Sequence, residues 1–174
     1  MISAYHAEQY QLYFEKNGKL ADKPSPLVDF VEELCRKNDM HSVLDYGSGF
    51  ARQFELFLPK DIRVQSYDPG VPSCEKRPEP ADMVVCNHML EHVEGLGEAA
   101  DIIEQLIKLA GKYVYIAVSL ESSTKLLPDG TPWHTVVMPA KWWMNQFEAY
   151  GMHDFEIQYT NDKEVVVLWR KPDA

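Results

Sequence analysis

A short apolar run, Ser42-Val43-Leu44-Asp45-Tyr46, leads directly into Gly47-Ser48-Gly49. Few architectures place two glycines at the end of a strand. The missing Cβ atoms let the chain turn sharply and let a ligand approach the main chain where other residues would collide. Helix-like and strand-like segments alternate around this turn. Ser25 and Pro26 supply an N-cap and a first helical residue, and Leu27, Val28, Val31, Leu34 and Cys35 recur at helical spacing to about residue 38. A brief helix over 51–58 stops at Pro59, and a strand over 62–67 ends at Asp68-Pro69-Gly70. The proline-rich stretch 71–80 reads as loop, and Met83-Val84-Val85 marks a buried strand over 81–86. Ile102, Ile103, Leu106, Ile107 and Ala110 define an amphipathic helix closed by Gly111, and a strand follows over 113–118. A helix over 139–150, capped by Gly151, precedes two strands at 155–160 and 164–170.

Alternation of this kind predicts a Rossmann-like α/β fold: a mostly parallel sheet with helices on both faces. The last two strands are separated only by a tight turn at Asn161-Asp162, so they form a C-terminal antiparallel hairpin. The whole of 1–174 reads as one domain, with 1–24 as an aromatic N-terminal arm carrying Tyr5, Tyr10, Tyr13 and Phe14. Hydrophobic residues at 45% and charged residues at 25% match an ordinary globular chain. No apolar run reaches the roughly 20 residues of a membrane span, and the N-terminus lacks the apolar centre of a signal peptide. Cys35, Cys74 and Cys86 are odd in number and widely spaced, which disfavours a disulfide framework and a paired-cysteine metal site. The expected compartment is the cytoplasm. A net charge of −10 opposes binding to nucleic-acid phosphates.

Ligands of such sheets bind beyond the carboxyl ends of the strands, where the glycine turn, Asp68 and the residues after Cys86 converge. A dinucleotide fingerprint would need a third glycine at the position of Arg52, so a nicotinamide-dependent oxidoreductase is disfavoured. Asp45-Tyr46-Gly47-Ser48-Gly49-Phe50-Ala51 instead suits a nucleoside that carries an ammonium and a sulfonium group. Asp68, 23 residues after Asp45, stands where a carboxylate can accept both ribose hydroxyl protons.

These segments, VLDYGSGFA, YDP and ADMVVCNHMLEHV, resemble the successive motifs of class I S-adenosylmethionine-dependent methyltransferases. Leu90-Glu91-His92-Val93 is similar to the LEH motif of a large methyltransferase group. LPDGTPWHTVVMPAKWW is similar to a segment of small bacterial and phage methyltransferase-like proteins. The resemblance covers about 25–170. It implies an S-adenosylmethionine site formed by Asp45, Tyr46, Gly47, Ser48, Gly49, Asp68, Pro69, Asn87 and His88. It also implies methyl transfer to an unidentified, small-molecule acceptor; the alternative is a non-catalytic cofactor-binding module or partner subunit. Neither the acceptor nor the oligomeric state can be read from the sequence. Only 13 residues separate Asp68 from Asp82, where the family normally fits a helix and a third strand, so the adenine contacts are not assignable from the resemblance.

His88-Met89-Leu90-Glu91-His92 carries a second signal. On a helix, 88, 91 and 92 share one face, and imidazole and carboxylate are good divalent-metal ligands. The same spacing occurs in inverted zinc peptidases, but here it follows a buried strand and precedes Gly95 and Gly97. The motif is also similar to the Glu-x-x-Glu-His of small-RNA 2′-O-methyltransferases, which hold a divalent ion beside the acceptor hydroxyl. That likeness makes His88, Glu91, His92 and His134 candidate metal ligands. His88, His92 and His134 are also the candidate general bases for a hydroxyl acceptor. The simpler reading has Glu91 and His92 satisfying backbone groups and His134 standing in a loop. Of Trp133, Trp142 and Trp143, at least two are expected in the core.

Overall fold

The computed structural model describes residues 3–172. Its elements in chain order are α1 (Ala4–Asn17), α2 (Pro26–Lys37), β1 (Ser42–Tyr46), α3 (Gln53–Phe57), β2 (Arg63–Tyr67), β3 (Ala81–Asn87), α4 (Leu96–Leu109), β4 (Ala110–Ser119), α5 (Ala140–Ala149), β5 (Glu156–Thr160) and β6 (Glu164–Arg170). The described residues build one six-stranded sheet in the order β2-β1-β3-β4-β6-β5. The first four strands run parallel, while β6 pairs antiparallel with both β4 and β5. Three residues between β5 and β6 allow only a hairpin, which places β6 between β4 and the edge strand β5.

Strand alternation sorts the side chains into two layers. Val43, Met83, Val85, Tyr115, Ala117, Val166 and Leu168 pack with Val28, Val31 and Cys35 of α2 and Phe54 of α3. Leu44, Val84, Cys86, Val114, Ile116, Val118 and Val167 pack with Ile102, Ile103 and Leu106 of α4 and Trp143 and Phe147 of α5. The central strands are thus buried on both sides, which explains their unbroken apolar runs. The helix ending at Ala149 is closed as expected. Gly151, with φ of +94°, donates to Glu148 O at 3.0 Å and Met152 donates to Phe147 O at 2.9 Å, the two bonds of a Schellman motif. Trp143 is fully buried and Trp142 packs beside it, so both belong to the core. The three cysteines are buried free thiols.

Three expectations are corrected. The brief helix starts at Gln53 rather than residue 51, because Arg52 adopts a left-handed conformation with φ of +49°. Gly111 does not close α4; the helix ends at Leu109 and Gly111 lies within β4, where an added Cβ would stand 3.3 Å from Ala81 O. Its small size serves the close approach of β3. Residues 88–92 are not α-helical: His88 is left-handed with φ of +51°, and Leu90–His92 form a single 3-10 turn. Their shared helical face therefore does not exist.

The crossover 68–80 contains only the 3-10 turn Pro72–Cys74. It lies over the α4 side of β2, where Gln65 donates to the carbonyls of Lys76 and Arg77 and accepts from the Glu79 N–H. Among the described residues no helix is long and apolar enough to cross a membrane.

Candidate functional site

The glycine turn and the β2 turn meet through one carboxylate. Gly47 and Gly49 have φ of +82° and +54°, and a Cβ on Gly47 would fall 2.3 Å from Met89 Cγ. Gly47 N–H and Ser48 N–H donate to Tyr67 O at 2.7 and 3.1 Å, tying the turn to the end of β2. Asp68 Oδ2 accepts the Gly49 N–H at 2.9 Å and Oδ1 accepts the Gly70 N–H at 2.8 Å. Burial raises the Asp68 pKa from its ordinary value, against the lowering effect of these two N–H donors. Each oxygen keeps a second lone pair for a further donor.

These residues edge a cavity of about 830 Å³. Of the residues expected from sequence to hold the cofactor, Tyr46, Gly47, Gly49, Asp68, Pro69 and His88 line it, while Asp45, Ser48 and Asn87 do not. Asp45 is buried, and burial, followed by the charges of Asp68 and Glu55, pushes its carboxyl up to about 8. It does not face the ligand space.

The N-terminal arm forms part of the cavity wall. Tyr10 and Phe14 of α1 line it together with Trp133. The Tyr10 hydroxyl is shared between His92 O at 3.1 Å and Trp133 O at 3.2 Å, and His6 Nε2–H donates to His92 O at 3.0 Å. Tyr10 and Tyr13 pack on Trp133 at centroid distances of 5.0 and 4.2 Å. Aromatic density was visible in the arm sequence, but its place against the strand ends was not. Tyr67, Met89, Ile102 and Gln105 also line the cavity. Sequence reading missed them because they look like ordinary strand and amphipathic-helix positions.

The histidine cluster separates into two parts. Ligand atoms of Glu91, His92 and His134 lie within 4.8 Å of one another. His92 Nδ1–H donates to Trp133 O at 2.7 Å and His134 Nδ1–H to Glu121 O at 2.6 Å. Each ring therefore leaves its Nε2 lone pair free. Glu91 is fully buried; its Oε1 accepts from Ser119 N–H at 3.1 Å and meets His88 Nδ1 at 3.3 Å, while its Oε2 has no hydrogen-bond partner among the described residues. An orphaned buried carboxylate oxygen beside two imidazole lone pairs suits a cation chemically. Burial lowers the His92 pKa, more than the nearby Glu91 charge raises it. His88 stands outside this trio. Its Nδ1 faces Glu91 and its Nε2 faces Glu164 at 3.4 Å. The hydrogen bond to Glu91 holds its pKa above the ordinary imidazole value. The close grouping of ligand atoms comprises Glu91, His92 and His134, so the structure brings together three of the four candidate ligands.

Neither a protein-family profile nor a curated protein sequence matches the chain. Solved structures do match. The small RNA methyltransferase HEN1 superposes with a TM-score of 0.61 at 11% identity over 84% of this chain and 25% of that one. The Burkholderia thailandensis 1,6-didemethyltoxoflavin-N1-methyltransferase, with S-adenosylhomocysteine bound, gives 0.56 at 17% identity over 85% and 79%. A SAM-dependent methyltransferase from Archaeoglobus fulgidus gives 0.55 at 15% identity over 93% and 99%. With the strand order, the glycine turn and the Asp68 bridge already in place, these likenesses lead to one conclusion: the chain has the fold of the class I S-adenosylmethionine-dependent methyltransferases.

Proposed function

We propose that the chain binds S-adenosylmethionine in this cavity and transfers its methyl group to a small-molecule acceptor. The observation that carries the reading is the Asp68 carboxylate, which joins the Gly49 and Gly70 N–H groups at the cavity edge and still offers lone pairs to ribose hydroxyls. At Gly49, where an added Cβ would meet only Phe14 Cζ at 3.8 Å, the methionine portion has room against the backbone, while the space beside Gly47 is taken by Met89. Displacement at the sulfonium is in line: the acceptor–methyl bond forms as the carbon–sulfur bond breaks, and the thioether leaves. The protein's contribution is alignment and exclusion of water, which Tyr10, Phe14 and Trp133 provide as a wall. A room walled in this way, on a chain of net charge −10, suits a small acceptor better than a nucleic acid.

Glu91, His92 and His134 are the residues that would hold a divalent ion. Such an ion, when bound, lowers the pKa of an acceptor hydroxyl. Without it, the neutral His92 ring presents Nε2 as a proton acceptor, and His134 presents a second.

Calorimetric titration tests the cofactor reading. S-adenosylhomocysteine is expected to bind one to one and NAD not at all; absence of S-adenosylhomocysteine binding refutes the proposal. Equilibrium dialysis of chelator-treated protein against manganese and zinc tests the ion. One equivalent should bind, and His134→Ala should abolish it; no uptake by the unaltered chain removes the metal.

A further inference from the structure

Charge is unevenly spread around the cavity. Glu75 and Arg77 reach it from the crossover and Lys108 from α4. The side covered by α1 is lined instead by Tyr10, Phe14, Trp133, His92 and Val93. Its nearest charged group is Asp68, which the Gly49 and Gly70 N–H groups already hold. This aromatic side is preformed. A Cβ on Gly70 would stand 2.6 Å from Tyr10 Cβ, and one on Gly49 would stand 3.8 Å from Phe14 Cζ, so α1 is seated on both turns. Trp133 is fixed through its main chain, whose N–H donates to Lys125 O at 2.9 Å and whose carbonyl accepts from Tyr10 and His92. The polar atoms of this side are largely spent on one another: the Tyr10 hydroxyl on two carbonyls and His92 Nδ1 on a third. The His92 ring stands edge to face with Tyr10 at 5.9 Å and Trp133 at 5.2 Å. Burial lowers its pKa, so its Nε2 is a proton acceptor and not a cation. His88 also lines the cavity, but it lies between the carboxylates of Glu91 and Glu164. Lys125 approaches the Trp133 ring at 5.9 Å without lining the cavity.

Resting on the cofactor reading above, we infer that the methyl acceptor is a flat, uncharged aromatic molecule held against Tyr10, Phe14 and Trp133. A phosphate or carboxylate would have to leave water for a wall whose one cationic ring, His88, is already matched by two carboxylates. A sugar would lose water from several hydroxyls and find few polar atoms in exchange. An aromatic ring loses little to water and meets other rings edge to face or offset, the arrangements such rings favour. The charge balance agrees. As the acceptor–methyl bond forms and the carbon–sulfur bond breaks, the positive charge of the sulfonium passes to an uncharged acceptor, which must then release a proton. His92 Nε2 is the group on this side that can take it.

The test is calorimetry on the intact chain saturated with S-adenosylhomocysteine, using probes of one skeleton: 2-naphthol, the saturated decahydro-2-naphthol, and the anionic 2-naphthoate. The flat, uncharged 2-naphthol should bind about tenfold tighter than either of the others, the effect of one or two aromatic contacts or of one unmatched charge. Phe14→Leu keeps an apolar wall but removes a flat ring, and should bring 2-naphthol to within a few-fold of its saturated form. Leu12→Ala, on the exposed side of the same helix, should leave the preference unchanged. Equal binding of the flat and saturated probes, tighter binding of 2-naphthoate, or no binding of 2-naphthol overturns the inference while leaving the cofactor reading intact. So does a preference unchanged in Phe14→Leu, or lost equally in Leu12→Ala. Failure of S-adenosylhomocysteine itself to bind refutes the cofactor reading, and the inference with it.

Discussion

Replacing Asp68 by Asn separates a structural role from a ligand-binding one. Asn keeps the volume but turns one oxygen into an amide that confronts an N–H donor, either Gly49 or Gly70. A hydrogen bond to a charged acceptor contributes about 1.5–3 kcal/mol, so removing one looks costly. Yet burial raises the Asp68 pKa in spite of both N–H donors. Desolvation of the ionised carboxylate therefore outweighs those bonds in the empty protein. A neutral amide escapes that cost, and the two effects offset, leaving a stability change within about 1 kcal/mol. Ligand binding has no such offset. Ribose hydroxyls lose a charged acceptor, and affinity for S-adenosylhomocysteine should fall by about 1.5–3 kcal/mol, roughly 10- to 150-fold. The sign with pH follows. The folded pKa is raised, so ionised Asp68 costs stability as pH climbs past the ordinary carboxylate value. The unaltered chain should lose ligand affinity as pH falls through the raised value. Urea unfolding and calorimetry on the same samples at pH 7 decide the matter. A stability loss above about 3 kcal/mol with unchanged affinity would falsify this reasoning and make Asp68 a brace.

Asp45→Asn should stabilise the chain by about 2–4 kcal/mol at pH 7, because burial pushes that carboxyl up to about 8 and ionisation disfavours folding as pH rises from about 4 to 8. Urea curves of variant and parent that remain equally spaced at pH 5 and pH 8 would contradict it. Gly47→Ala forces a left-handed alanine against Met89 and should cost about 2–3 kcal/mol in unfolding experiments. Met89→Ala in the same chain should restore part of this, and no recovery would exclude the contact as the cause. Tyr10→Phe removes the hydroxyl shared by His92 and Trp133 and should cost about 0.5–1.5 kcal/mol. Limited proteolysis between residues 18 and 25 should accelerate; an unchanged cleavage rate counts against α1 being held by that group.

What the sequence disclosed was whatever depends on burial of a whole element. Met83-Val84-Val85 had to be a strand covered on both sides, and the short link between β5 and β6 had to be a hairpin. The glycine turn and Asp68 were legible because conformation and charge are local properties. The histidine segment was not, since the spacing of His88, Glu91 and His92 suits a helix equally well. The left-handed backbone at His88 breaks the helical face, so its ring meets Glu91 at 3.3 Å but stays outside the grouping of Glu91, His92 and His134. Asp45 looked like a ligand residue by adjacency, but alternation along β1 turns it away from the cavity. Gln105 and Ile102 were invisible as site residues because what they face depends on the crossover 68–80 and not on any pattern within α4 itself.

The hydroxyl of Tyr10 spans two carbonyls that belong to different segments, one beyond β3 and one in the loop before α5. α1 takes no place in the sheet and is fastened across the opening by side chains alone. If entry requires that helix to lift, association of S-adenosylhomocysteine should plateau with rising ligand concentration instead of climbing without limit, and its release should be no faster than the latch opens.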